Sequence, residues 1–337
     1  MAFSFDSQTQ QKSFVRWQPL QPLSIFCELH STNADVLHRA QLLFAPCIDE
    51  KTNTVTHLEP TENRCVWRWT VEREPENAVW RAGNSATGAE VADSDVRRVL
   101  TFIEYSTVQA LVDVVKRENT PLFAMHTALL CKENFGLIVV GPSQSGKSTL
   151  SCALWRSGWQ LLCDDFCFLQ NGNEAFPARR RVSLRAGSRE LVGEELWTRL
   201  QNAPSSYSTD EGWIFHPHEI ADSPLSSPLA RCQAMRVNAI VFLGRDGMSD
   251  KGAEVSPLQR INAARAALAL LPYCTLLPRE DPASDSGANR VLDWSAALPK
   301  IAPLVERAPV YSLKRGALPQ MIASVEALRL ESARENL

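Results

Sequence analysis

The run Gly141-Pro142-Ser143-Gln144-Ser145-Gly146-Lys147-Ser148-Thr149 has the spacing GxxxxGK[ST]. In such a loop the glycines let the backbone curl and successive N–H groups point inward at phosphate oxygens. Lys147 is placed to reach the outer phosphates as a point charge, and the Ser148 hydroxyl is placed to ligate Mg²⁺. The chemistry this predicts is nucleotide binding through residues 141–149. A second pair of reactive groups, Asp164 and Asp165, stands only a few turns of chain further on.

The elements around these residues have to bring them together. The apolar run Gly136–Val140 predicts a strand that delivers the loop. Leu150, Ala153, Leu154 and Ser157 recur at helical spacing, which predicts a helix from about Lys147 to Ser157 whose N-terminus adds its positive dipole end to the phosphate site. Gly158 stops the helix, and Trp159–Cys163 predicts a second strand ending in the acid pair. This is a βαβ unit. A right-handed crossover lays the second strand parallel to the first, so that both finish on the sheet edge where ligands of open α/β sheets bind. Two acids there can divide the work of phosphoryl transfer: one holds Mg²⁺, directly or through water, and the other takes the proton of an attacking hydroxyl. Upstream, Leu122–Leu130 predicts one strand carrying His126, followed by a turn at Lys132–Gly136. On spacing alone, a lone histidine in an apolar strand reads as a core residue.

The pattern G-x-S-x-S-G-K-S-T, a helix ending in Gly, an aromatic, two apolar residues and then Asp-Asp resembles the C-terminal domain of HPr kinase/phosphorylase. It resembles more closely the looser set of HPr-kinase-related proteins that share this core. The resemblance is specific across about residues 120–170, and it implies an α/β P-loop kinase domain of the HPr kinase C-terminal and phosphoenolpyruvate carboxykinase type. By the same resemblance Asp165 is the general base, Lys147 and Ser148 are the loop lysine and metal-binding serine, and His126 is an auxiliary catalytic group. Ser148 with Asp164 then holds Mg²⁺. The implied reaction is ATP-dependent phosphorylation of a hydroxyl, with a serine of a protein or peptide as acceptor. A small-molecule alcohol, or a catalytically silent ATP switch that engages a partner, are the rival readings.

One departure from the family lies downstream. In place of its Glu-x-x-Gly-x-Gly element stands Phe176–Arg185, which carries Arg179, Arg180, Arg181 and Arg185. HPr as substrate and the phosphorylase direction are not expected. One arginine of this cluster, or Arg245 at the end of the strand Ala239–Gly244, is a candidate phosphate contact. Glu190 is the nearest later carboxylate and is not expected to be a ligand.

Composition bounds the rest. The 337 residues are 45% apolar, enough for a packed core, and divide into an N-terminal α+β module over 1–118 and the phosphotransferase domain over 119–337. A net charge of −3 offers no electrostatic footprint for nucleic acid or an anionic membrane. No apolar stretch is long enough to span a bilayer, and the first residues lack the pattern of a signal peptide, so a cytoplasmic protein is expected. Nine cysteines with no CxxC pair argue against a disulfide framework or a zinc ribbon, and Cys163 and Cys167 read as buried hydrophobes. In the N-terminal module Cys65–Val71, Ala78–Arg81 and Val99–Tyr105 read as strands and Gln109–Lys116 as a helix. Its residues carry no chemistry that assigns a role: substrate or partner recognition, an oligomer contact and a plain structural role are equal readings, and a homo-oligomer is compatible with the parent family's ring of six. Ala203–Asp210, Ala221–Ser227 and Asp281–Asn289 read as loops, with His216 and His218 as loop residues, and Ile261–Leu271 and Gln320–Arg329 read as helices.

Overall fold

A computed structural model describes residues 13–20, 23, 25–44, 65–117, 121–170, 172–178, 181–203, 206–209, 212–215, 234–244, 258–274 and 294–335. It is a mixed α/β structure in two compact units, Met1–Pro19 with Leu23–Thr107 and Leu20–Pro22 with Val108–Leu337. In the first unit β1 (Ser13–Trp17), β2 (Ile25–Ser31), β3 (Cys65–Arg73), β4 (Trp80–Asn84) and β5 (Glu90–Asp93) form one sheet in that order, with helix α1 (Ala34–Phe44) between β2 and β3. Alternation sends Val15, Trp17, Cys27, Leu29, Trp67, Trp69 and Val71 to the buried face. On the other face Glu28 sits between its register partners Arg16 and Arg68. Burial raises the Glu28 carboxyl, but hydrogen bonds from His30, Arg16 and Arg68 outweigh it and hold the pKa down at about 2.

The segment Val99–Tyr105 is not a strand. It lies inside helix α2 (Val96–Arg117). Its β-branched and aromatic residues have strand propensity, but Val96, Val99, Leu100 and Ile103 bury one face at helical spacing, and that tertiary face decides the outcome. Asp95 starts the helix by accepting from the Arg97 N–H at 2.9 Å.

The second unit is built on strands β6 (Phe123–His126), β7 (Ala128–Lys132), β8 (Phe135–Val140), β9 (Gln160–Cys163), β10 (Phe166–Gln170) and β11 (Glu174–Pro177), with helix α3 (Lys147–Arg156) between β8 and β9. A small sheet and two helices follow: β12 (Val182–Arg185), α4 (Arg189–Val192), α5 (Glu194–Asn202), β13 (Tyr207–Thr209) and β14 (Gly212–Phe215). The chain then returns through β15 (Met235–Leu243), β16 (Leu258–Ile261), α6 (Ala263–Leu270), α7 (Trp294–Arg307), β17 (Val310–Leu313) and α8 (Leu318–Glu335). The segment expected as a loop over 203–210 contains the short strand β13. Residues 221–227 and 281–289, with His216 and His218, lie outside the described residues.

The large sheet runs β6-β10-β11-β15-β8-β7-β9, with β17 also on β15 and β16 on β17. Its central strands β8 and β15 are parallel and buried on both faces. Ile138, Val140, Ile240 and Phe242 face one core with Ala266, Leu270, Ile301 and Leu304 of α6 and α7. Leu137, Val139, Ala239 and Val241 face the other with Leu150 and Leu154 of α3 and Met321, Val325 and Leu328 of α8. β9 runs parallel to β8 but does not pair with it, because β7 lies between them and pairs antiparallel with both. The expected pair of parallel strands is therefore split by the strand that precedes the loop.

Leu122–Leu130 is accordingly two strands, not one. β6 pairs β10 while β7 pairs β8 and β9, at the opposite end of the strand order. Thr127 alone makes the switch. Its N–H donates to the Asp165 carbonyl at 3.0 Å and its hydroxyl to the Val139 carbonyl at 2.7 Å. The acid pair makes the same switch between β9 and β10 in two residues. Both crossings meet at one seam of the sheet.

Gly136, at the start of β8, is required by close approach. A Cβ there would lie 2.2 Å from the Arg236 carbonyl oxygen and 3.0 Å from its carbon. Backbone cannot yield as a side-chain tip can, so Gly136→Ala is expected to cost about 3 kcal/mol, the upper part of the overpacking range. A thermal melt should then fall by roughly 6–12 °C. A melt within about 2 °C of the parent would show that the two strands can separate there.

Candidate functional site

β8 ends at Val140, and the loop begins at Gly141 under tight constraints. A Cβ on Gly141 would stand 2.7 Å from Ser145 Oγ and 2.8 Å from the Leu243 carbonyl, so the loop folds back against the end of β15 only because that position carries no side chain. Gln144 and Gly146 adopt left-handed backbone, with φ of 65° and 94°. Those two reversals, with the Ser145 N–H donating to the Pro142 carbonyl at 3.1 Å, curl residues 141–146 ahead of α3. The first α3 bond runs from Leu150 N–H to the Gly146 carbonyl, which leaves the amides of the first turn without an intrahelical acceptor. Pro142, Ser143, Gln144, Ser148 and Thr149 keep some exposure, while the Ser145 hydroxyl is buried with no hydrogen-bond partner among the described residues.

The acid pair stands against this loop. Ser148 Oγ donates to Asp164 Oδ2 at 2.9 Å. Asp164 is buried, and its Oδ1 has no hydrogen-bond partner among the described residues. Burial raises its carboxyl above the ordinary value, against the opposing pull of the Lys147 ammonium and the Ser148 bond. Asp165 is different: its side chain is 32% exposed. His126 Nδ1 lies 3.0 Å from Asp165 Oδ1, an ion-pair distance at an angle outside hydrogen-bond geometry. The His126 ring also meets the edge of Phe166 at 5.2 Å between centroids.

The structure thus brings Lys147, Ser148, Asp164, Asp165 and His126 to one place. Asp164 suits a divalent cation: its one free carboxyl oxygen is buried and without a donor, and a hard oxygen-seeking ion satisfies such an atom. The other candidates divide. Arg181 is buried, Arg185 ends β12 exposed, Glu190 is exposed in α4, and Arg179, Arg180 and Arg245 lie outside the described residues. Cys163 and Cys167 are buried, and burial pushes both thiols up, which keeps them protonated and unreactive. Among the described residues no group of three or more His, Cys, Asp or Glu side chains is placed to hold a metal ion. No described helix is long and apolar enough to cross a membrane.

Two residues near the site were not anticipated from sequence. Thr127 locks the seam that carries His126 and Asp165. Ser188 shares a hydrogen bond with Thr149 of the loop, Oγ to Oγ1 at 3.0 Å. The only signal for either is a hydroxyl residue between structured segments, and such residues are common.

No family model matches this chain, and no curated protein matches it. Among solved structures it is similar to the Hpr(Ser) kinase/phosphatase from Coxiella burnetii, at 15% identity and a TM-score of 0.30, over 62% of this chain and 97% of that one.

Proposed function

We propose that the second unit is a P-loop phosphotransferase of the HPr-kinase-like type, which moves the γ-phosphoryl group of ATP to a hydroxyl, a serine of a protein or peptide in the cytoplasm. The observation that carries this reading is the contact between the loop serine Ser148 and the buried Asp164, which leaves one carboxylate oxygen without a donor at the mouth of a phosphate-shaped loop. ATP lies with its phosphates along residues 141–149, on the first-turn amides of α3. Lys147 stabilises charge that develops on the departing side. Ser148 and Asp164 would hold Mg²⁺, which neutralises phosphate charge when bound. Asp165 accepts the proton of the attacking hydroxyl while the new oxygen–phosphorus bond forms and the bond to the ADP oxygen breaks. His126 sits beside Asp165, with Nδ1 3.0 Å from Oδ1, to orient the carboxylate.

The division of labour follows from exposure. Asp164 is buried with one oxygen that a cation would satisfy, whereas Asp165, its side chain 32% exposed, can be reached by an incoming hydroxyl. Binding is measured first: Mg·ATP at about 100 times its Kd is expected to stabilise the unit by about 2.7 kcal/mol. That raises the melt by about 5 °C or more. Transfer is then followed by a mass shift of one phosphate on candidate peptides and by ADP release. Binding without release of ADP in the presence of any acceptor would favour the silent switch, and no melt shift at millimolar Mg·ATP would sink the proposal.

A further inference from the structure

Ser188 ends the 3-10 turn Ala186–Ser188 and leads into α4 with helical backbone, φ −85° and ψ −9°, rather than the extended backbone of a capping serine, and its side chain makes no capping bond. The hydroxyl instead reaches Thr149 Oγ1, 39 residues earlier in the chain, at 3.0 Å. Ser188 is buried at 7% exposure, so water does not compete freely for that bond. We infer that Ser188 is a positioning residue for the nucleotide loop, a role that rests on the proposed ATP site.

The first turn of α3 carries two neighbouring hydroxyls, about 100° apart around the helix. Ser148 is tied to Asp164 at the end of β9, and Thr149 is tied to Ser188 on the small subdomain. With both tethers made, the turn whose amides face the phosphates is held against rotation from two sides. The subdomain is anchored to the same helix by its core, where Cys152 of α3 packs with Val182, Leu184, Leu196, Trp197 and Phe215. The 3-10 turn Ala186–Ser188 that carries the hydroxyl therefore cannot drift from α3 without opening this cluster. Removing the bond leaves a bent, glycine-rich loop with one tether instead of two, and a phosphate chain must then order the turn as it binds.

The test is a double-mutant cycle on the full chain, with Mg·ADP affinity read by calorimetric titration. Ser188→Ala and Thr149→Val are each expected to weaken Kd by about 3- to 10-fold, the effect of one lost hydrogen bond. The double variant should be no weaker than the worse single one, because both remove the same contact. A merely structural serine would lower the melting temperature and leave Kd alone. Kd within about twofold of the parent in both single variants, or fully multiplicative effects in the double one, would overturn the role of Ser188 while leaving the ATP site standing. A parent chain that ignores Mg·ADP would overturn the reading of the loop, and this inference with it.

Discussion

Asp165→Asn is expected to bind Mg·ADP within a few-fold of the parent chain and to lose phosphoryl transfer by ~10²-fold or more. The two effects separate because the two halves of the residue do different things. Its backbone carbonyl accepts from the Thr127 N–H at 3.0 Å and holds the seam between β6 and β7 closed. An asparagine keeps that carbonyl and the side-chain shape. What it loses is the carboxylate to which the proposed mechanism gives the acceptor's proton, with His126 Nδ1 3.0 Å away. The loss should fall on kcat, with KM for ATP nearly unchanged, since no ground-state contact to nucleotide is removed. Single-turnover transfer to an active acceptor peptide measures it. Parent-like transfer would remove Asp165 from the mechanism, and a loss confined to Mg²⁺ affinity would recast it as a ligand.

The part of the site that was legible in the sequence is the part that is local. β8, the loop, α3, β9 and the acid pair follow one another within about thirty residues, and each boundary carries its own signal: a glycine, a lysine at fixed spacing, a pair of aspartates. What stayed hidden is what non-neighbours decide. Nothing in Leu122–Leu130 marks Thr127 as a break, because the cause is elsewhere: β10 claims one half of the run, and β8 with β9 claims the other. Val99–Tyr105 failed for a related reason. Its propensity is for a strand, but the apolar face that continues through Leu111 and Val115 makes it one stretch of a longer helix. The subdomain over 182–215 read only as the end of an arginine cluster and a loop, since the core that organises it borrows Cys152 from α3. Ser188 became visible only when that borrowing placed it against Thr149.

Asp164→Asn is expected to melt above the parent chain at neutral pH without ligand, and to lose nearly all the stabilisation that Mg·ATP confers. Burial disfavours the ionised form of the parent's aspartate: the Asp164 carboxyl is raised from an ordinary 3.8, chiefly by burial, with Lys147 and Ser148 offsetting only part. A raised acid means that the folded chain binds more protons than the unfolded one across the interval from 3.8 up to the folded value. This group's contribution to stability is therefore complete below that interval and lost as pH rises through it. The variant, with no proton to exchange, should show no such fall. A divalent cation reverses the order, because it gives the buried carboxylate the partner it lacks and leaves the amide with little to offer. Transfer should fall by roughly 10²-fold or more for want of the metal's charge. Melts of both chains from pH 4 to 8, each with and without Mg·ATP, decide the matter. If the variant melts below the parent without ligand yet gains as much from Mg·ATP, Asp164 is a brace for Ser148 and the metal belongs elsewhere.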